Sequence, residues 1–349
     1  MKIAFILSYC DNIGPFVVAK NIVNSLNQEA KLIDVYYLKE SKNKLKFNSA
    51  CTKIHFSEDI PFSNYDIFHS HGFRADAYLY YHRNKIKGKR ITTIHQRIKP
   101  DYGMYYNRAV GFLLEKLWCF FISDFNKVVT LTRSMQEYYK NILKNTSLEY
   151  IYNGISTPDI AVKTAVPNKE FQIIESVKEK YKLLGVAARL TVLKGVEQII
   201  NVLPGEKQYA LLILGDGPER NNLEKLAVKL HVSDRCIFLG YKSNLFDYFH
   251  YFDLYVMPSR SEGFGLVVIE AAAQKIPVVC SDLPVYRELF TDEVVRFQLD
   301  DADSLISAIQ YADENRSVLR EKLYARYTTT FTDRIMAQKY LNLYRQVLE

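Results

Sequence analysis

The chain alternates short apolar runs with longer amphipathic stretches, the pattern of strands joined by crossover helices in a parallel sheet. In the first half, the apolar runs predict strands over 3–8, 32–37, 67–69, 90–94 and 127–131. Between them fall helices over 16–26, 75–83, 110–121 and 134–141. The stretch 156–180 carries Pro158 and Pro167 among lysines and glutamates and predicts a connection between domains. A second series then begins, with strands over 183–188, 209–214, 236–239, 254–257 and 278–280. Its helices fall over 196–202, 218–230, 245–250, 265–274, 284–289 and 304–313. The simplest architecture is α/β, two Rossmann-like doubly wound domains facing each other. Ligands would bind at the carboxyl ends of the strands, in the cleft between them. The expected domains are 1–165 and 166–330, with 331–349 a C-terminal helix packing back toward the first domain.

A chain of 349 residues with 48% apolar content is long enough to bury two cores. The apolar run at the N-terminus is too short for a signal-peptide core and precedes no small-residue cleavage site. The longest apolar stretch, 109–123, is broken by Glu115 and Lys116, so no membrane-spanning helix is expected. Five cysteines without a Cys-x-x-Cys pair suit free thiols in a reducing cytoplasm. The charge is uneven: residues 1–165 carry 23 Lys and Arg against 14 Asp and Glu, and residues 166–349 carry 23 against 25. A basic half beside a near-neutral half suggests two tasks on two domains.

The most informative stretch is Ser261 to Glu270. Glu262 and Glu270 lie eight positions apart, with Gly263-Phe264-Gly265 just after the first. The glycines fall on a strand-to-helix turn, where backbone amides and the positive end of a helix dipole suit an anion. Glu262 lies on the loop and Glu270 about two turns into the helix, so both can face one pocket. Upstream, Arg189 and Lys194-Gly195 follow the first strand of the second series. Arg supplies a bidentate fork and Lys a compact point charge, a fitting pair for a diphosphate. Leu214-Gly215-Asp216-Gly217-Pro218 ends another strand in turn chemistry. In the first half, His95 closes one strand and His71 the strand before it. Two histidines at the spacing of His69 and His71 could ligate a metal, but no Cys or carboxylate cluster accompanies them. Asp301-Ala302-Asp303 is the one Asp-x-Asp, and N-capping of a helix explains it better than magnesium does.

These motifs resemble the retaining glycosyltransferases of family 4, which have the GT-B fold. That family's mark is two glutamates separated by seven residues, with Gly-Phe-Gly-Leu or similar between them. The resemblance implies that Glu262 contacts hydroxyls of the donor sugar and Glu270 the nucleotide ribose. The amides of Phe264, Gly265 and Leu266 would approach the sugar and diphosphate, and Arg189 and Lys194 would bind the diphosphate. Gly215 would be donor-adjacent, Tyr241 and Lys242 would meet the nucleobase, and His95 would lie near the donor sugar. Gly14 stands where the family shows paired glycines. Here Pro15 follows it and removes one amide. His71 and Arg97 are the acceptor-side candidates. The segment Tyr150-Ile151-Tyr152-Asn153-Gly154-Ile155 matches the family's close of the first domain.

The resemblance implies a retaining transfer from a nucleoside-diphosphate sugar, expected to be UDP-linked, onto a growing cell-surface glycan that is expected to be lipid-linked. No metal or other cofactor is expected, and no nucleic-acid partner. A sugar-nucleotide epimerase of the same shape and a non-catalytic glycan- or membrane-binding scaffold are the alternatives. The basic half predicts contact with an anionic membrane at its cytoplasmic face. The contributing residues are Arg83, Lys85, Lys87, Lys89 and Arg90, with Arg97, Lys99, Arg108 and Lys116 near Phe112, Trp118, Phe120 and Phe121. Phe112 and Phe120 are expected to be core.

Overall fold

In a computed structural model the protein is described over residues 1–26, 29–41, 44–156 and 166–349. It divides into two compact units, Met1–Ser156 with Thr330–Glu349, and Thr157–Thr329. The expected boundary at 165/166 adjoins residues 157–165, which lie outside the described residues.

The first unit holds seven strands: β1 (Lys2–Tyr9), β2 (Leu32–Lys39), β3 (Cys51–Lys53), β4 (Ile67–His71), β5 (Lys89–Ile94), β6 (Lys127–Thr130) and β7 (Leu148–Tyr150). Their order is β3-β2-β1-β4-β5-β6-β7, and every pairing is parallel. Central strands of such a sheet are covered on both faces, which is why β1 reads as a continuous apolar run and buries Ile3 to Leu7 completely. β3 and β7 are three-residue edge strands with too little apolar sequence to stand out.

The C-terminal helix Asp333–Leu348 belongs to this unit. It is pinned by the 150–155 segment. Ile155 donates to Phe331 O and Asp333 donates to Ile155 O, both at 3.0 Å. A side chain at Gly154 would lie 2.2 Å from Thr332 O, so close backbone approach explains that glycine. Tyr340 and Tyr344 of this helix are fully buried.

The second unit holds β8 (Lys182–Ala187), β9 (Tyr209–Leu214), β10 (Cys236–Gly240), β11 (Leu254–Met257), β12 (Val278–Ser281) and β13 (Val295–Phe297). These are again all parallel, in the order β10-β9-β8-β11-β12-β13. The core joins Val186, Ile199, Leu211, Ile213, Leu254 and Val256 to the helix Ala302–Glu314. The expected connection over 156–180 contains a helix, Asn168–Lys178, whose Ile174 is fully buried. Its charged sequence with few apolar positions reads as linker until its one buried face has a partner.

In both sheets the strand order reverses beside the first strand, between β1 and β4 and between β8 and β11. Loops at the carboxyl ends part at such a point and leave room for a ligand.

Candidate functional site

In the second unit, the loops after β8 and β11 flank the reversal point and carry the charges singled out from sequence. Lys194 Nζ lies 2.5 Å from Glu262 Oε1, and both side chains are largely shielded from solvent. Arg189 is exposed and has no hydrogen-bond or ion-pair partner among the described residues. The Gly-Asp-Gly-Pro turn after β9 holds this loop in place. Leu190 donates to Asp216 O at 3.0 Å, and Ala188 to Leu214 O at 3.0 Å. A side chain at Gly215, whose φ is +150°, would lie 1.8 Å from Ala188 O, so only glycine lets the two loops touch. Gly215 therefore supports the cation loop.

After β11 the chain turns through Gly263-Phe264-Gly265 into the helix Leu266–Ala273. Gly265 has φ +81°, and a side chain there would meet the Tyr286 hydroxyl at 2.7 Å. Phe264 is buried and anchors the turn. The first amides of Leu266 and its neighbours have no helical acceptor and carry the positive end of the helix dipole. Glu270 is only half-buried as a residue, yet its Oε2 is closed from solvent and without a hydrogen-bond partner. Burial raises its carboxyl from 4.5 to about 7.

Three further enclosed polar atoms lie on the same edge without partners: Thr191 Oγ1, Ser259 Oγ and the Tyr286 hydroxyl. Leaving such groups unpaired costs stability, and they concentrate where a ligand is received. Tyr286 and Tyr255 are both raised by burial, with Glu262 among the charges acting on each. Neither tyrosine was expected, because nothing local in sequence distinguishes them from core aromatics.

Tyr241 is half exposed after β10. Lys242 is engaged: its Nζ lies 2.7 Å from Glu170 Oε1, and Tyr248 donates to Glu170 Oε2 at 2.6 Å. Glu170 sits on the helix hidden in the expected linker, which explains why sequence reasoning missed it. Asp301 caps the helix Ala302–Glu314 by accepting from Ser304 N at 2.9 Å. Among the described residues, no group of three or more His, Cys, Asp or Glu side chains is placed to hold a metal ion.

The carboxyl edge of the first unit is built differently. His71 Nδ1 lies 2.9 Å from His95 Nε2, so one ring donates and the other accepts. His69, one strand position pair below, meets the Tyr344 hydroxyl at 2.6 Å and Thr93 Oγ1 at 2.9 Å, and Thr93 meets Tyr340 at 2.9 Å. Burial holds all three imidazoles neutral: His69 and His95 are lowered to about 3, and His71 well below its usual value. His71 Nε2 is buried and unpartnered. Gly14 opens the helix Gly14–Leu26, two residues before the expected start. Pro15 sits in its first turn, where a missing amide removes no helical hydrogen bond. The Arg97 guanidinium lies over the Tyr138 ring, 5.7 Å from its centroid.

The expected basic surface is partly spoken for. Lys85 pairs with Asp59 at 2.7 Å, Arg90 donates to both carboxylate oxygens of Asp124 from its two terminal guanidinium nitrogens, and Arg83 folds over the Tyr80 ring. The helix Arg108–Ile122 corrects a second expectation. Phe112 and Phe120 are 49% and 56% exposed, alongside Leu113 and Leu117, while Trp118, Cys119 and Ile122 face the core. The helix buries only one stripe, and its apolar residues outnumber the positions that stripe can hold. Among the described residues, no helix is long and apolar enough to cross a membrane.

Comparison with known proteins agrees with this architecture. Residues 168–329 match the model of the glycosyl transferases group 1, and residues 29–158 that of Glycosyltransferase Family 4. The chain is 33% identical over 354 residues to an O-antigen biosynthesis glycosyltransferase, WclY, of Escherichia coli, covering 99% of each. Over 39% of this chain and 44% of the relative, it is 30% identical to a lipopolysaccharide core biosynthesis mannosyltransferase of Rhizobium meliloti. Among solved structures, a sucrose-phosphate synthase from Thermosynechococcus elongatus superposes with a TM-score of 0.80 at 18% identity, covering 99% of both chains. Anabaena HepE in complex with UDP superposes at 0.79 and 16% identity, covering 99% of this chain and all of that one. With two parallel-sheet Rossmann-like units of the GT-B type and both family models matched across them, the chain belongs to the family 4 glycosyltransferases.

Proposed function

We propose that the protein is a retaining, metal-independent transferase that moves a hexosyl or N-acetylhexosaminyl unit from a UDP-sugar onto a lipid-linked glycan of O-antigen or lipopolysaccharide assembly. The observation that carries this reading is the edge of the second unit. There an unpaired guanidinium and a Lys–Glu pair stand in the loops after β8 and β11, and an enclosed, unpartnered carboxyl oxygen of Glu270 lies on the helix that follows the glycine turn. The relatives named for O-antigen and lipopolysaccharide core synthesis support the substrate class, and the UDP-bound neighbour supports the nucleotide.

In this reading Arg189, Lys194 and the amides of Phe264, Gly265 and Leu266 hold the donor diphosphate. Glu270 binds the ribose, Tyr241 and Lys242 border the base, and Glu262 binds sugar hydroxyls once the diphosphate has drawn Lys194 away. His95, neutral and hydrogen-bonded to His71, offers a hydrogen bond to the sugar without adding charge. The bond from the anomeric carbon to the diphosphate breaks, and the acceptor oxygen bonds on the same face. A leaving phosphate oxygen takes the acceptor's proton. The cations stabilise the charge growing on the diphosphate, as a preorganised site does best.

The acceptor domain is the first unit, working as a peripheral protein at the cytoplasmic face of the membrane. Support lies in the exposed Phe112, Leu113, Leu117 and Phe120, with Lys99 and Lys116 each within 6 Å of the Phe112 ring. The test is mass spectrometry of products from a panel of nucleotide sugars and lipid-linked glycans, with and without EDTA. An α-configured glycoside formed from an α-linked UDP-sugar, at an unchanged rate in EDTA, is expected. Conversion of donor without an acceptor-linked product, or abolition by EDTA with rescue by magnesium, overturns the reading.

A further inference from the structure

The first unit contains a cleft of about 500 Å³ that the donor chemistry leaves unused. It opens beside the carboxyl ends of β1 and β2 and within the range of small-molecule sites. Its wall is apolar: Leu38 is the penultimate residue of β2, Phe73 and Ala77 lie in the first turns of the helix Phe73–Tyr81, and Phe56 and Phe121 close the sides. Phe73 packs on Phe121 at 5.6 Å and on Trp118 at 5.4 Å, so this wall is held by the core.

Two cations, Lys39 and Arg74, complete the lining. Both are exposed, and neither has an ion-pair partner among the described residues. They are held instead by one tyrosine: Lys39 Nζ lies 5.8 Å and the Arg74 guanidinium 5.2 Å from the Tyr9 ring centroid, and Arg74 donates to the Tyr9 hydroxyl. Cations kept in place by an aromatic ring rather than a carboxylate are left open to an incoming anion. An apolar cleft with two such cations at its edge fits a molecule that carries hydrocarbon directly beside phosphate. A nucleotide would find few hydrogen-bond partners on this wall, and a neutral lipid would leave both cations idle. The cleft also adjoins the exposed apolar helix face: Phe121 lines it, and Phe120 packs against Phe121 at 6.0 Å.

We propose that this cleft binds the lipid end of the acceptor, its hydrocarbon against Phe56, Phe73, Ala77 and Phe121 and its phosphate between Lys39 and Arg74. This rests on the lipid-linked acceptor of the preceding reading. The test is calorimetry on the full chain without detergent, using farnesyl phosphate below its micelle concentration, with farnesol and inorganic phosphate as comparators and UDP as a separate probe. Farnesyl phosphate should bind saturably and at least tenfold more tightly than either comparator. Across hexyl, octyl and decyl phosphates, affinity should rise about threefold to fourfold per methylene. Ala77→Trp should fill the cleft, and the surface double variant Lys39→Glu with Arg74→Glu should repel the phosphate. Each should cost tenfold or more for farnesyl phosphate with UDP binding intact. Equal binding of farnesol, or variants that bind like the parent, would overturn the proposal, as would no farnesyl phosphate binding by a protein that binds UDP. A protein that binds farnesyl phosphate but no UDP would keep this site and sink the transferase reading instead.

Discussion

The two units share the same order of their first six strands, with β7 a further edge strand in the first, and differ at the edge where that order places ligands. After β8 and β11 the edge is ionic: Arg189 stands unpaired, Lys194 and Glu262 pair at 2.5 Å, and burial raises the Glu270 carboxyl to about 7. After β4 and β5 it is polar but uncharged, with three imidazoles kept neutral by burial and stitched to Thr93, Tyr340 and Tyr344. Fixed charge suits a group whose own charge grows during a reaction. Neutral donors and acceptors suit hydroxyls, which carry none. The same sheet can thus serve either kind of ligand, because the strands supply position and the loop residues supply charge.

The largest test of this contrast removes the cations. Arg189→Ala and Lys194→Ala should each lower kcat/KM for transfer by about two decades or more, the scale of losing a preorganised charge. Circular dichroism should stay near the parent spectrum in both; the melting temperature should hold in Arg189→Ala and fall in Lys194→Ala, which leaves the shielded Glu262 unpaired. Near-normal transfer in both variants would erase the distinction between the edges.

A second test uses the Lys194–Glu262 pair to separate binding from transfer. Glu262→Gln frees Lys194 from its competitor, so calorimetry should show UDP binding unchanged or several-fold tighter while turnover falls about a hundredfold. Weaker UDP binding in this variant would mean that Glu262 itself holds the nucleotide.

The edges should also answer pH with opposite sign. The histidines have folded values below their ordinary 6.5, so their contribution is complete above that pH and is lost as pH falls toward about 3. Glu270 has a folded value above its ordinary 4.5, so its burial costs stability as pH rises from there to about 7 and remains costly above. The only tryptophan, Trp118, lies in the first unit and reports that unit's unfolding by fluorescence. From pH 7 to pH 5 the Trp118 transition should move to lower temperature, and His69→Phe should reduce that movement. Glu270→Gln should leave it in place and, by circular dichroism at pH 8, stabilise the protein by about 1 kcal/mol, discounted for the half-exposed residue. A Trp118 transition that rises on acidification would contradict the neutral-imidazole edge.

The smallest effect concerns the membrane face. Sedimentation with anionic vesicles should fall by about half or more when Lys99 and Lys116 become Glu, at roughly 1 kcal/mol for each base near the surface. Lys85→Glu should do less, because Lys85 already serves Asp59. Equal binding to neutral vesicles would move the contact off this helix.

The sequence by itself determined the alternation of strands and helices, the two-unit fold and the positions of Arg189, Lys194, Glu262 and Glu270. Apolar periodicity and glycine turns are local properties, and a motif spanning eight positions is read from one segment. It also read Asp301 correctly as a cap, since capping acts within three residues. What tertiary structure decided lies at long sequence separation. Glu170 meets Lys242 across 72 positions, His69 meets Tyr344 across 275, and Lys194 meets Glu262 across 68. Phe112 and Phe120 show the same limit, because an apolar helix fixes which residues share a face but not how wide a neighbour covers it. The chain states which side chains exist and their local geometry; packing alone states which of them are closed from water, and burial is what sets their charge.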